Sequence, residues 1–294
     1  MVKEFPKQNS IGVAEITLPA KIDADRSMPV QPRALGEIDL TVSRRADQNA
    51  LKDLRQSGSF KALFPRTGPQ SLQAVLVNTA GGVTGGDRFS VRACAEKSAK
   101  LTVTSQAAER VYRANAGELG QLENQLEIGP DAQVNWLPQE TILFDGCAVS
   151  RKTTVNMTKS STLLLAEPLV FGRLAMGEQL SNGFIRDRVE INRDGECLFL
   201  DSMSLSGDIT AHLARPNIAN NAGALVSIVF VSAHAEALVE QIRALLPETG
   251  GASLIHDDVL FARALAPDSF LLRQFLVPIL NLLTNDTLPR AWMI

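Results

Sequence analysis

Three stretches of this sequence set carboxylates in apolar company, two of them beside arginines. Ala107-Ala108-Glu109-Arg110-Val111-Tyr112-Arg113 joins an acid and a base to the chain's single tyrosine. Leu137-Pro138-Gln139-Glu140-Thr141-Ile142-Leu143-Phe144 holds one carboxylate between apolar flanks, and Glu167-Pro168-Leu169-Val170-Phe171-Gly172-Arg173-Leu174-Ala175-Met176-Gly177-Glu178 spaces two carboxylates around an arginine. A charge in such surroundings has to be paired or wetted, because burying it bare is costly. Three chemistries fit: paired charges at strand ends, acid/base work on a glycan by two carboxylates, or a hydrated internal passage whose carboxylates weakly hold a cation. The glycan reading is the weakest, since sugar clefts stack rings on aromatic side chains and only two tryptophans (Trp136, Trp292) and one tyrosine are present.

Other reactive sets are missing. His212, His234 and His256 lie far apart, with no spacing that puts two ligands on one helix face. No Gly-x-Ser-x-Gly elbow occurs, and Cys94, Cys147 and Cys197 are odd in number and form no Cys-x-x-Cys pair, so they read as buried thiols. The expectation is a non-enzyme with no fixed metal site and no tightly bound cofactor. The glycine-rich run Asn78-Thr79-Ala80-Gly81-Gly82-Val83-Thr84-Gly85-Gly86-Asp87 lacks the lysine and following helix of a phosphate-binding loop. Gly81, Gly82, Gly85 and Gly86 read instead as a tight structural turn that Asp87 closes by bonding neighbouring amides.

The elements that must position these clusters are mostly strands. Short runs with a two-residue period recur from Lys100 to Leu205, separated by turn signals such as Gly129-Pro130-Asp131, Asp145-Gly146 and Asp194-Gly195. The C-terminal part changes to helical stripes near 235–246, stopped by Pro247, and 268–284, opened by Asp268 or Ser269 and kinked by Pro278. Residues 1–33 are polar and proline-bearing and read as a lead-in arm, leaving 34–294 as a single β-rich domain with a small helical cap. Strand direction is left open. A net charge of -3 and a pI near 5.7 argue against nucleic-acid binding. The start has no apolar signal core, and the longest apolar stretch falls short of the ~20 residues of a membrane span, so the expected setting is the cytoplasm.

Taken in order, the glycine-rich run, Gln106 through Arg113, Leu137 through Ile142 and Phe171 through Glu178 resemble the motifs of the urease accessory protein family UreD, also called UreH. Arg55-Gln56-Ser57-Gly58 through Phe64-Pro65 and the closing Leu288-Pro289-Arg290-Ala291-Trp292 extend the resemblance from about Leu35 to the end. It implies a β-helix-like stack of short strands with a small C-terminal helical cap. It further implies a maturation role: binding the urease apoprotein and, through UreF, the GTPase UreG, with nickel in transit through an internal hydrated route. On that reading Glu140, Glu167 and Glu178 are candidates for the nickel path, with Asp87 less favoured because its turn occupies it. Arg110 and Arg173 would position carboxylates by bidentate pairing, supported by Glu109 and Tyr112. Trp292 and Arg290 are candidates for a partner interface, although Trp292 would also suit the core. The rival readings are an interaction scaffold without ion passage and a carbohydrate-active β-helical enzyme.

Overall fold

In the computed structural model the described residues are 31–66, 68, 70–173 and 176–293. Of the lead-in read at 1–33, residues 1–30 therefore lie outside the described residues, while Arg33 pairs with Glu118. The chain opens with β1 (Leu35–Arg45), β2 (Gln48–Gly58), β3 (Phe60–Leu63), β4 (Leu72–Asn78), β5 (Arg88–Ala95) and β6 (Lys100–Ser105). It continues with β7 (Glu109–Val111), β8 (Gly120–Ile128), β9 (Gln133–Leu137), β10 (Thr141–Leu143), β11 (Ala148–Met157), β12 (Thr162–Phe171), β13 (Gly183–Arg193) and β14 (Glu196–Gly207). The last part holds α1 (Ile209–Leu213), β15 (Ala224–Val231), α2 (Ala235–Leu245), β16 (Gly250–His256), β17 (Val259–Ala266) and α3 (Ser269–Thr284), before a short 3-10 turn at Arg290–Trp292.

From β4 to β13 the chain passes repeatedly between two sheets, making a β-solenoid-like stack of about 4 turns. In the first sheet β1, β5, β8, β11 and β13 run parallel, and antiparallel β2 and β14 finish its two edges. In the second, β4, β6, β9 and β12 run parallel, with antiparallel β3 on one side and β15, β17 and β16 on the other. A narrow third side is made by a parallel bridge from Val83 to Val111, the pairing of β7 with β10, and that of β10 with Leu169 to Phe171 of β12. Parallel pairing is thus the direction that the sequence left open.

Burial explains the two kinds of strand. In β1 and β11 buried and more open positions largely alternate, as expected of strands with one face on the core and one toward water. Nine consecutive positions of β12 are buried, because its two faces serve different cores: Leu163, Leu165, Leu169 and Phe171 join the solenoid interior, whereas Leu164, Ala166 and Val170 pack under the helical cap. The cap sits where the sequence pattern placed it. Asp268 caps α3 by accepting from the Leu271 amide at 2.8 Å, Pro278 lies within the helix, and Asn285 ends it in the left-handed conformation. The five-residue α1, capped by Asp208, is too short to show a helical stripe in the sequence.

The glycine-rich run joins β4 of one sheet to β5 of the other. Asp87 closes it as expected, its carboxylate accepting from the amides of Thr84 and Ala34, each at 2.8 Å. Gly82 has φ 156°, and an added Cβ would stand 2.3 Å from the Tyr112 ring and 2.7 Å from the Arg110 carbonyl oxygen. Gly82→Ala is therefore expected to cost about 1–3 kcal/mol by overpacking. Urea denaturation would register this as a lower midpoint, and an unchanged midpoint would show that Tyr112 moves aside freely.

Candidate functional site

Beneath the turn, a cavity of about 220 Å³ reaches into the solenoid; its polar walls include Glu109, Asn124, Gln139, Arg151 and Glu167. Glu167 occupies an inward position of β12 between Leu165 and Leu169 and is 3% exposed. Its Oε1 accepts from Trp136 Nε1 and from Thr153 Oγ1, both at 2.9 Å. Among the described residues its Oε2 has no hydrogen-bond donor, and Arg151 Nη2 stands 3.5 Å away.

Arg151 is committed elsewhere. Its Nε and Nη2 grip Asp187 at 2.8 and 2.7 Å, and Nη1 donates to Thr141 Oγ1 at 3.2 Å. Burial opposes the charge on Arg151, but Asp187 and Glu167 hold its pKa above the ordinary value. Burial pushes the Glu167 carboxyl up, with Arg151 opposing and Asp187 reinforcing the shift. One cation thus serves two carboxyl groups, and burial favours the neutral form of Glu167. Toward the turn, both carboxylate oxygens of Glu109 accept from Asn78 Nδ2, at 3.2 and 3.1 Å. Burial raises the Glu109 carboxyl as well, only partly offset by Asn78 and the Arg110 amide.

The remaining candidates lie apart from this arrangement. Glu140 is 5% exposed and accepts from Arg273 Nη1 at 2.9 and 3.1 Å, on the side of the helical cap. The same nitrogen donates to Gln139 Oε1 at 3.0 Å, and the buried Gln139 Nε2 has no hydrogen-bond partner among the described residues. Glu178 is paired with Arg173, whose Nε donates to Oε2 at 2.9 Å and Nη2 to Oε1 at 3.3 Å, and this pairing holds the Glu178 carboxyl below the usual range. Arg173 also lies over the Phe144 ring, which Tyr112 meets edge-on.

Three expectations need correction: of the three thiols only Cys147 is buried, Cys94 being partly exposed and Cys197 exposed. Arg110 is exposed and forms no ion pair with a carboxylate among the described residues; Arg151 and Arg273 take that positioning role beside Arg173. Trp292 is 2% exposed and donates to the Leu137 carbonyl, so it belongs to the chain's own core and offers no surface anchor, while Arg290 is exposed. Arg151, Asp187, Asn78 and Arg273 were not singled out from sequence. For Arg151 a signal existed, since it alternates in phase with Val149, Thr153 and Val155, which all face inward.

Among the described residues no group of three or more His, Cys, Asp or Glu side chains is gathered to hold a metal ion. Burial pushes the Cys147 thiol up to about 11, which keeps it protonated and inert near neutral pH. No described helix is long and apolar enough to cross a membrane. Fold and site together define the class: a helically capped β-solenoid with a small polar cavity lined by two carboxylates and two arginines.

The sequence matches the family described as UreD urease accessory protein over residues 34–293. It is 51% identical to the urease accessory protein UreD of Ruegeria pomeroyi over 87% of this chain and 100% of that relative. The UreD proteins of Roseobacter denitrificans and Mesorhizobium japonicum are 45% and 39% identical, over 89% and 90% of this chain and 96% of each relative. The chain belongs to the UreD family of urease accessory proteins.

Proposed function

We propose that this protein serves urease maturation in the cytoplasm as a scaffold that binds the urease apoprotein and, through UreF, the GTPase UreG, and that nickel passes through its internal chamber. Family membership supports the maturation role. The observation that carries the passage is the buried Glu167, which lines the cavity next to an arginine already gripped by Asp187 and whose Oε2 accepts no hydrogen bond among the described residues. Oxygen donors without imidazole or thiolate hold nickel loosely, so an ion can leave as readily as it arrives. Glu140 and Glu178 are less suited, because each already faces an arginine.

Glu167→Gln tests this reading, since it preserves shape and an oxygen for Trp136 and Thr153 while removing the charge. Copurification with urease subunits should persist, while nickel-dependent urease activation in cells carrying the variant falls severalfold. Full activation with intact complex formation would leave a scaffold without ion passage.

A further inference from the structure

Two segments far apart in the sequence meet at a larger cleft on the outside of the molecule. Arg66 follows Phe64-Pro65 in the connection from β3 to β4, and Arg290 stands in the closing Leu288-Pro289-Arg290-Ala291-Trp292. Both line a trough of about 770 Å³ whose floor includes Gln73 and Val75, on the face of β4 opposite the buried Ala74 and Leu76. The two walls are held in place. Asn49 Nδ2 donates to the Gln70 carbonyl at 3.2 Å, tying one wall to β2. On the other, Leu288 and Trp292 are buried in the cap core, which fixes the short turn that exposes Arg290 between them. Neither guanidinium has an ion pair or hydrogen bond among the described residues, and no described Asp or Glu lines the trough. Thr67 and Pro69, which lie outside the described residues, carry no charge. In a chain of net charge -3 the trough is thus a local region of positive potential.

We infer that the trough docks an acidic, partly apolar peptide segment of a partner protein, with Arg66 and Arg290 pairing to its carboxylates. A guanidinium suits this task because its planar fork matches a carboxylate bidentately and keeps its charge when covered. Pro65, Val75, Pro289 and Ala291 supply apolar wall beside the two charges, so the occupant mixes acids with apolar side chains. The two prolines stiffen the walls before anything binds, which lowers the cost of ordering them. The trough falls within the roughly 300–1,000 Å³ of ligand sites, too large for a lone anion to fill. Nucleic acid fits poorly, since two cations and no aromatic side chain make neither a phosphate track nor a stacking platform. The inference deepens the scaffold reading, on which it rests for the existence of a partner, and is independent of ion passage.

The test uses the full chain copurified with the urease apoprotein and UreF. Arg66→Lys and Arg290→Lys keep the charge and supply an amine, which a carbodiimide joins only to a carboxylate in direct contact. Mass spectrometry is expected to find each introduced amine joined to Asp or Glu within one short stretch of a partner. Arg215→Lys, exposed in the loop after α1, sets the background yield. Arg66→Glu combined with Arg290→Glu should lower recovery of that partner severalfold and leave the circular dichroism of the chain unchanged, because both side chains are exposed. Joining only to carboxylates of this chain, whether its own first 30 residues or a second copy, would overturn partner docking. So would yields no higher than background, or full recovery of both partners by the double glutamate variant, and the scaffold reading would survive either result. If the unaltered chain copurifies with neither protein, the scaffold reading itself falls and the docking site with it.

Discussion

Replacing Arg151 with methionine is expected to destabilise the chain by about 3–5 kcal/mol, the usual cost of removing one partner from a buried ion pair. Arg151 is 6% exposed, grips Asp187 through two hydrogen bonds and stands 3.5 Å from Glu167, so its loss strands two carboxylates in the solenoid interior. Methionine restores much of the volume, which assigns the loss to charge and not to a void. The companion variant makes the cause visible: adding Asp187→Asn and Glu167→Gln to Arg151→Met should recover most of the stability, because no charge is then left unpaired. Urea denaturation with a shared slope checks both. A loss below about 1 kcal/mol for Arg151→Met alone would mean that water already reaches the trio freely.

The strand-rich body and the late helices are legible in the sequence because each is written in local period: alternation in β11, a stripe and a cap in α3. The glycine-rich turn and the closing role of Asp87 are legible for the same reason, since the bonded Thr84 amide is three residues away. Strand direction was not legible, because parallel neighbours in a solenoid are about one coil apart and their register depends on where each coil closes. The site was legible only in part. Glu167 stands out as a charge within an apolar run, but the partners that define its state come from β9, β11 and β13, and no local pattern ties Trp136 or Asp187 to it. Glu140 looked equivalent to Glu167 in sequence. What separates them is Arg273, which reaches Glu140 from a helix more than a hundred residues further on. Arg151 stands beside the exposed Lys152, but it alternates in phase with Val149 and Val155, which places it inward.

Trp292→Ala is expected to cost about 3–5 kcal/mol, as for other buried tryptophans, and to act on the chamber from a distance. The indole nitrogen donates to the Leu137 carbonyl at 3.0 Å, and the Trp292 backbone oxygen accepts from Arg273 Nη2 at 3.1 Å. The Arg273 guanidinium also lies 5.1 Å from the indole ring centre while its other nitrogen holds Gln139 and Glu140. The closing segment, α3 and the connection from β9 to β10 are thus tied through one arginine, and that connection supplies the chamber's Gln139 wall. Trp292→Phe keeps most of the apolar area but orphans the Leu137 carbonyl, so it should cost only about 1–3 kcal/mol. Thermal unfolding ranks the two variants, and equal losses would deny the hydrogen bond any role. Both substitutions leave Trp136 as the only tryptophan, with its indole bonded to Glu167 inside the chamber. In folded Trp292→Phe its emission reports on the chamber alone: nickel reaching Glu167 should quench it, and loss of that quenching in Trp292→Phe with Glu167→Gln would place the ion beside that carboxylate.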